Sequence, residues 1–468
     1  MTEKRKRKLA MPDTLIIVAL VVLLVAILSW IIPSGTYDYQ EMNINGRIRN
    51  VAIDGTYHTI DKSEVTTTGF LGFFSVLYRG CVEAADVIFM ILCCCGTFGV
   101  VVKTGAFHAG IGTILKKLKG KEILLVPIIM LIFGLGGSVF GMASEFYGFY
   151  PLIVGLGVAL GYDAMFGFAI IAVGEFVGFM GATLNPYSVG IAQTISGVEL
   201  YSGTGYRTIC FVIFMVISII YVMMYGRKIK KNPGASVVFG EKNIHAFDRD
   251  ELNEYSFTLK DGLVLLDVLV VLVVLMFGLI KWGWDFPQLC GLFLLMSMIA
   301  AAICKWSPNK WCSEFIDSAK TAMWGCILTG IAKAITVVMQ DAQIMDTVIY
   351  GLSNVLKNAP HAVSAQVMLV VQTLINFFIP SATGQASATM PIMAQLADII
   401  GVSRQTAVLA FQFGDGLSNI FWPTADIVII CGLGGISLQK WYKWFTPLFL
   451  ILFATQAILL GIATGIGF

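Results

Sequence analysis

Residues 183–188 read Thr-Leu-Asn-Pro-Tyr-Ser and interrupt an apolar stretch that otherwise has the composition of a buried helix. Proline disfavours helical geometry in the residue before it, so Asn185 is predicted to be extended or kinked. A second interruption, Ser-Asn-Ile-Phe-Trp-Pro-Thr, occupies residues 418–424. Broken helices at corresponding places in two apolar halves are typical of secondary transporters, whose binding site lies where the breaks meet.

The sequence around the two breaks repeats with a spacing of 240 positions. The matched pairs are Glu145 and Gln385, Pro151 and Pro391, Gly161 and Gly401, and Glu175 and Asp415. This repeat divides the chain into a first half at residues 1–231, a linker at residues 232–261 and a second half at residues 262–468. Each half is predicted to contain one re-entrant helical hairpin and one broken transmembrane helix.

The composition is that of a membrane protein. Of the 468 residues, 57% are hydrophobic and 13% are charged, a balance that excludes a soluble globular protein. Apolar runs of about 20 residues fit membrane-spanning helices rather than the alternation of a barrel, so the predicted fold class is an all-α polytopic membrane protein. The ten cysteines lack metal-ligand spacing and are predicted to be small core residues. No cofactor and no nucleic-acid partner are predicted.

Apolar runs and polar tips give the predicted order of elements. Spans are predicted at residues 15–32, 84–102, 166–180, 207–225, 263–280, 289–304 and 443–465, with a further span that ends at Met339. Amphipathic pieces are predicted at residues 70–77 and 312–319, and hairpin tips at residues 138–144 and 380–385. Residues 37–68 are predicted to form an external segment with strand or turn content, residues 341–361 an external loop, and residues 116–121 a cytoplasmic loop.

Basic residues set the predicted orientation. Positions 4–8 are all Lys or Arg and precede the first span, which is long for a signal peptide and is interpreted as a retained helix. Lysine and arginine collect on the cytoplasmic side, which places the N-terminus inside. The same bias at residues 116–121 and 227–231 makes the second half enter from the opposite side. The halves are therefore predicted to be inverted repeats, with an external C-terminus.

Each break needs partners other than lipid, because unpaired backbone groups in hydrocarbon are strongly destabilising. The breaks and tips are therefore predicted to line a cavity. Half-helix N-termini suit a carboxylate, and freed carbonyl groups suit Na⁺ or an ammonium group. The predicted substrate ligands are Ser138, Gly141, Glu145, Asn185, Pro186, Ser188, Ser381, Thr383, Gly384, Gln385, Ser418, Asn419 and Thr424. An ordinary kink is the alternative for any one of these motifs alone.

Three acids in apolar sequence, Glu145, Glu175 and Asp415, have no basic partner within their own segments. A carboxylate deep in a bilayer is costly and usually functional. It could hold a cationic substrate group, carry a proton or bind Na⁺, and a hydrogen-bonded structural acid is the alternative. The predicted ion-coupling residues are Glu175, Asp415, Thr183 and Asp426. Lys333 also lies in an apolar run, where snorkelling toward an interface is the simplest interpretation.

Several motifs resemble those of one known family. They are Met-Pro-Asp-Thr at 11–14, Ile-Ile-Pro-Ser-Gly-Thr at 31–36, Asn-Pro-Tyr-Ser-Val-Gly at 185–190 with Ala192 and Gln193, and the run 376–424. Over nearly its whole length the chain resembles the YfcC family, which is grouped with the C4-dicarboxylate anaerobic carriers in the ion transporter superfamily. The resemblance implies two opposed hairpins, a homodimeric scaffold and elevator-type movement in the bacterial cytoplasmic (inner) membrane.

The resemblance leaves the substrate open, because this family is described both as basic amino acid antiporters and as dicarboxylate carriers. Dicarboxylate members of the superfamily bind carboxylates through Ser-Asn-Thr motifs at the hairpin tips, whereas residues 138–141 read Ser-Val-Phe-Gly and residues 381–384 read Ser-Ala-Thr-Gly. The apolar-sequence acids would also repel a dianion, and no cavity arginine is expected to answer it. Amino acids, basic ones above all, are therefore favoured, by exchange or by coupling to Na⁺ or H⁺. A Na⁺- or H⁺-coupled carrier of C4-dicarboxylates or short peptides is the alternative.

An enzyme is not expected. Gly-Asp-Gly at 414–416 resembles part of an intramembrane aspartyl protease, a remote alternative, but such an enzyme needs two aspartates that share a proton. The one candidate partner, Asp163 after Tyr162, lies at a helix start. No phosphate-binding loop is present in the sequence, so gradients of ions or substrates are predicted to drive transport.

The charge bias makes a testable prediction about topology. A cysteine introduced at Asn232 should be protected from a membrane-impermeant thiol reagent applied outside, because the linker is predicted to be cytoplasmic. A cysteine added after Phe468 should react. Labelling of intact cells and of inverted vesicles measures both positions, and the reverse pattern would contradict the inverted-repeat interpretation.

Overall fold

The computed structural model describes residues 14–44, 47–118, 122–241, 245, 257–357 and 363–468. Helices dominate this part of the chain. The first half contains α1 (Thr14–Ile31), α2 (Phe70–Glu83), α3 (Ala85–Lys103), α4 (Ala106–Leu118), α5 (Leu125–Leu135), α6 (Phe149–Ala159), α7 (Ala164–Met180), α8 (Val189–Ile195) and α9 (Thr204–Lys231). The second half contains α10 (Leu259–Lys281), α11 (Phe286–Ile303), α12 (Pro308–Lys320), α13 (Met323–Asp341), α14 (Met345–Lys357), α15 (Ser364–Phe378), α16 (Ala382–Ile399), α17 (Arg404–Ser418), α18 (Asp426–Gly434) and α19 (Leu438–Gly465).

Among the described residues, seven helices are long and apolar enough to cross a membrane: α1, α3, α9, α10, α11, α13 and α19. The protein is therefore a multi-pass membrane protein. Part of the linker, residues 242–244 and 246–256, lies outside the described residues, as does the basic run at positions 4–8.

The order of elements in α2–α9 recurs in α12–α19. Each series begins with an amphipathic helix and a long apolar helix, and continues with a short helix and two helices joined by a tip. A helix, a non-helical break, a short helix and a long final helix complete each series. The sequence repeat thus corresponds to a repeat of structural elements.

The helices form two packed groups, which we name the frame and the site helices. The frame consists of α1–α4 and α10–α14, and its contacts are reciprocal between the halves. Helix α2 packs on α13, and its counterpart α12 packs on α3. Helix α1 also packs on α13, and α11 also packs on α3. The site helices are α5–α9 and α15–α19. In each half the hairpin packs on the broken helix, and the broken helices α7 and α17 pack on each other.

Glycine allows the closest approach within the frame. Helix α2 crosses α13 so tightly that a Cβ atom on Gly80 would lie 2.3 Å from the carbonyl oxygen of Gly330. A Cβ atom on Gly330 would in turn meet the Cys81 side chain. Small residues at helix crossings in membranes let backbones approach and gain dispersion contacts. The crossing therefore depends on these two glycines.

The polar segment after α1 forms two short antiparallel sheets, which confirms its predicted strand content. Strand β1 (Ser34–Thr36) pairs with β4 (His58–Ile60), and β2 (Tyr39–Ile44) pairs with β3 (Arg47–Ala52). Asp346 on α14 holds this segment in place, because its carboxylate accepts hydrogen bonds from the Tyr37 N–H (3.0 Å) and the Tyr39 hydroxyl (2.8 Å).

Two predictions of loops were wrong. Residues 341–361 were predicted to be an external loop, but α14 occupies Met345–Lys357. The sequence around Lys116 was predicted to be a cytoplasmic loop, but this residue is part of α4. Met345, Ile349 and Leu352 follow helical spacing, so the segment buries one apolar stripe although its composition is polar. Composition alone conceals such short amphipathic helices.

The glycine crossing predicts a position-specific loss of stability. Gly80→Ala should lower the free energy of unfolding by about 1–3 kcal/mol, because the new methyl group collides with the α13 backbone. Gly72→Ala on the same helix is the matched control, because a Cβ there meets only a Thr68 methyl group at 3.7 Å. Thermal unfolding in detergent compares the two, and equal melting temperatures would contradict the close crossing.

Candidate functional site

The first break is bonded to the tip of the first hairpin. Helix α7 ends at Met180 and α8 begins at Val189. Between them, the Asn185 side-chain amide donates to the Gly137 carbonyl oxygen (3.3 Å), and its Oδ1 accepts from the N–H groups of Tyr187 (2.9 Å) and Ser188 (3.2 Å). Asn185 thus partners two N–H groups of the break and one carbonyl group of the hairpin tip.

The first hairpin tip fits closely against this break. Helix α5 continues as a π-helical turn at Gly136–Phe140, and Gly141 then adopts a left-handed conformation with φ of +68°. A Cβ atom at Gly141 would lie 2.4 Å from the Asn185 Oδ1 atom. The Ser138 carbonyl oxygen accepts from the Thr183 N–H at 2.9 Å. Gly141, Ser138 and Thr183, all predicted site residues, therefore meet at one place.

The second break is bonded to the second hairpin in a comparable way. Helix α17 ends at Ser418 and α18 begins at Asp426. The Thr424 hydroxyl donates to the Phe377 carbonyl oxygen (2.7 Å), and the Trp422 indole N–H donates to the Thr373 carbonyl oxygen (2.7 Å). Polar side chains of this break thus fix the end of α15.

Two further hydrogen bonds join the halves. At the tip of the second hairpin, the Thr383 hydroxyl donates to the Tyr187 carbonyl oxygen of the first break at 2.9 Å. Beside the first hairpin tip, the Tyr147 hydroxyl donates to Oδ1 of Asp426, at the end of the second break, at 2.8 Å. Both tips and both breaks therefore converge on one region. Pro186, Tyr187, Trp422 and Asp426 are only half-buried there, whereas Ser188 is buried.

A buried amide network lies behind the second break. The Asn376 amide donates to Gln385 Oε1 (3.1 Å), Asp415 Oδ1 (3.0 Å) and Asn419 Oδ1 (3.1 Å). Gln385 in turn donates to Gln372 Oε1 at 2.7 Å. All five side chains are buried, so Gln385 and Asn419 belong to the wall of the region rather than to its open face. The hydroxyl of Ser418 is likewise turned into its own helix, on the Gly414 carbonyl oxygen.

The acids differ in their environment. Glu175 and Asp415 have no accessible surface, and each has one carboxylate oxygen without a hydrogen-bond partner in the described part of the chain. The other oxygen of Glu175 accepts from the Tyr150 hydroxyl at 2.8 Å. Glu145 is also buried and accepts from the Ala143 N–H at 3.0 Å. Asp426, the first residue of α18, is the one acid of these four that is half-buried rather than buried.

Sequence reasoning missed several residues of this site, namely Tyr147, Tyr150, Gln372 and the role of Asn376. Tyr147 and Tyr150 lie three positions apart, a spacing that places two residues on one side of a helix, so the sequence offered this signal. Asn376 and Gln372 lie one helical turn apart on α15 and could have been read in the same way. Their partners come from distant segments, so their roles became evident only in the fold.

Two basic residues, Arg207 and Lys333, lie within the apolar helices α9 and α13. Arg207 on α9 is 1% exposed, and its guanidinium group makes no hydrogen bond within the described residues. Its guanidinium group lies 6.0 Å from the centre of the Phe468 ring, beside the last residue and not at the breaks. Lys333 is half-buried on α13, without an ion pair in the described chain. Sequence reasoning did not identify the buried arginine.

Broken helices that meet between two repeated halves of a multi-pass membrane protein are the arrangement of a membrane transporter. The model of the C4-dicarboxylate anaerobic carrier family matches residues 11–465. The chain belongs to this family, and the resemblance seen in its motifs is confirmed.

Relatives match over almost the full length. The chain is 32% identical to YfcC of Escherichia coli (strain K12), which is provisionally named a basic amino acid antiporter, over 97% of this chain and 96% of that protein. It is 27% identical to an uncharacterized protein of Haemophilus influenzae (strain ATCC 51907 / DSM 11121 / KW20 / Rd), over 98% and 97% of the two chains. The family and its named relative are transporters rather than enzymes.

Two solved transporter structures are similar at low identity. The Alcanivorax borkumensis YdaH transporter has a TM-score of 0.44 and 15% identity, with 98% of this chain and 99% of that chain covered. Neisseria gonorrhoeae MtrF, from a class of antimetabolite efflux pumps, has a TM-score of 0.44 and 16% identity, with 97% and 96% covered.

The bonds of the two breaks predict the effect of removing their asparagines. Asn185→Ala and Asn419→Ala should each weaken substrate binding tenfold or more, about 1.4 kcal/mol, because each frees groups that shape the site. Equilibrium binding of labelled arginine to purified protein measures this. Asn232→Ala, at an exposed position after α9, is the matched control. Affinities equal to that of the control would contradict a role for the breaks.

Proposed function

We propose that this protein is a secondary active transporter of amino acids and that basic amino acids are its preferred substrates. The observation that supports this proposal is that acidic side chains gather where the breaks meet and have no basic partner within the described residues. None of Glu145, Glu175, Asp415 and Asp426 forms an ion pair within the described residues. A cationic ligand would supply the missing positive charge.

Electrostatics favours a cation or zwitterion over a dianion. Two like charges 4 Å apart repel by about 4 kcal/mol at an effective dielectric constant near 20. The one fully buried arginine of the described chain, Arg207, lies beside Phe468 and not at the breaks. A dicarboxylate would therefore meet negative charge without a nearby guanidinium group to offset it.

The substrate carboxylate has a separate candidate subsite at the second hairpin tip. Helix α16 begins there, with Ser381 as its exposed N-cap residue. The N–H groups and the positive dipole end of a helix N-terminus suit a carboxylate. Helix α18 offers no comparable place, because Asp426 occupies its first turn. The two poles of an amino acid would thus contact different half-helices.

The fully buried acids suit ion coupling. An ionised carboxylate without counter-charge is highly unfavourable in a low-dielectric interior. Glu175 and Asp415, each with one unpaired oxygen, would become more stable on taking up H⁺ or Na⁺. Thr183, bonded to Ser138, lies near the first of these acids in sequence. Coupling to Na⁺ or H⁺ is proposed through these residues, and exchange of two amino acids would use the same site.

The contacts of the frame support inverted repeats. Lys103 at the end of α3 pairs with Glu314 at 2.9 Å, on the helix that precedes α13. Asp341 at the end of α13 pairs with Arg79, on the helix that precedes α3. Helix α3 therefore ends near the start of α13, and α13 ends near the start of α3. The two equivalent helices thus run antiparallel. This agrees with the orientation predicted from basic residues, with a cytoplasmic N-terminus and an external C-terminus.

The separation into two helix groups supports elevator-type movement. The site helices carry both tips and both breaks, so they could shift against the frame with the site intact. We propose that the frame is the static, homodimeric part in a bacterial cytoplasmic (inner) membrane, as the family resemblance implies.

Transport of C4-dicarboxylates is the second candidate, because the description of the matching family names them. Short peptides share the zwitterionic character of amino acids and stay a weaker alternative.

Uptake by proteoliposomes tests the proposal. Labelled arginine and ornithine should accumulate, and succinate should not, because the acids favour cationic ligands. The assay is run with and without Na⁺ and pH gradients, and with unlabelled amino acid inside to detect exchange. Empty liposomes are the control. Uptake of succinate alone would overturn the amino acid proposal and support the dicarboxylate candidate.

A further inference from the structure

We infer that Asp426, held by Tyr147 and four residues after Trp422, forms the subsite that binds the cationic side chain of the substrate. This inference rests on the proposed function and deepens it. It assigns selectivity for a guanidinium or ammonium group to one acid, and it separates that acid from Glu175 and Asp415.

The four acids near the breaks differ in their exposure to solvent. Glu175 and Asp415 are 0% exposed and Glu145 is 7% exposed, so their carboxylates are closed off from the region between the tips. Asp426 is half-buried and sits where the second break ends. Of these four acids, Asp426 is therefore the one that a substrate at the breaks can contact.

Two contacts of Asp426 stabilise a carboxylate at this position and involve only one of its oxygens. It is the first residue of α18, where the helix dipole stabilises a negative charge. Its Oδ1 accepts the hydrogen bond from the Tyr147 hydroxyl, and Oδ2 takes no hydrogen bond within the described residues. Tyr147 is therefore a positioning residue that fixes the carboxylate with one oxygen available.

Trp422, four residues before this acid, offers an aromatic surface. Trp422 is half-buried, and its carbonyl oxygen accepts from the Ala425 N–H at 3.1 Å. Its indole ring is fixed by the hydrogen bond to Thr373 and packs edge-to-face on Phe377 at 5.5 Å between ring centres. Tryptophan is the best aromatic partner for a cation, and a guanidinium group combines such a contact with a carboxylate.

Tyr147 and Asp426 come from opposite halves of the chain. Tyr147 follows the first hairpin tip, whereas Asp426 ends the second break, 279 positions later. The subsite is therefore complete only when these two elements meet. Tyr150, one turn after Tyr147, binds the closed-off Glu175 instead. Tyr147 thus donates to the half-buried Asp426, whereas Tyr150 donates to the fully buried Glu175.

Arginine and citrulline distinguish charge recognition from general damage, because they share length and backbone while citrulline has a neutral side chain. In proteoliposomes, Asp426→Asn should raise the KM for arginine tenfold or more and change that for citrulline less than twofold. Asp426→Glu keeps the charge and should retain most of the preference for arginine. Asp317→Asn, an exposed acid on α12, is the matched control and should change neither KM.

The positioning role has its own variant. Tyr147→Phe keeps the ring and removes the hydrogen bond, so it should reduce the arginine-to-citrulline preference at unchanged citrulline KM. Asp415→Asn should alter the dependence on Na⁺ or pH and keep the preference. An equal loss of preference in Asp415→Asn and Asp426→Asn would overturn the division of roles.

Other results would also contradict the inference. An equal rise in KM for both amino acids in Asp426→Asn, with normal elution on size-exclusion chromatography, would show that Asp426 does not read the side-chain charge. If Asp426→Asn does not fold, loss of preference in Asp426→Glu would contradict the inference as well. A wild-type protein that transports both amino acids with equal KM would overturn it while leaving amino acid transport intact. Transport of succinate alone would overturn the proposed function itself.

Discussion

The need to pair backbone groups in an apolar environment shapes the centre of this protein. A helix that stops inside the membrane leaves N–H and C=O groups without partners, and no water is present in hydrocarbon to replace them. At the first break Asn185 bonds two such N–H groups and the Gly137 carbonyl of the hairpin, and at the second break Thr424 and Trp422 bond the end of α15. Each break is therefore stable only while a hairpin is packed on it. The hairpins and broken helices have to be treated as one unit.

The same polar core carries negative charge of two kinds. Glu175 and Asp415 are enclosed, with phenol and amide donors on one oxygen only, whereas Asp426 is accessible at the start of a half-helix. Enclosed acids respond to small ions, because only a proton or a bare cation can reach them. An accessible acid can contact an organic substrate. This separation is the basis of the division between coupling and recognition that we propose.

The frame provides a different kind of interaction. Its helices associate through small residues and reciprocal contacts, as at Gly80 and Gly330, and its ends are tied by Lys103 with Glu314 and Arg79 with Asp341. The site helices combine close glycine crossings, as at Gly134 and Gly178, with buried hydrogen bonds. Membership of the C4-dicarboxylate anaerobic carrier family agrees with a transport role for this architecture.

The sequence by itself determined the membrane class, the repeat, the positions of both breaks and the acids, because these depend on local composition and spacing. Asn185 before proline had to leave the helix wherever the chain folded. Only the tertiary structure decided which residues meet. The bond of Thr383 to Tyr187 joins positions 196 apart, and that of Tyr147 to Asp426 joins positions 279 apart. Burial of Gln385 and accessibility of Asp426 likewise depend on distant segments, so no local pattern encodes them.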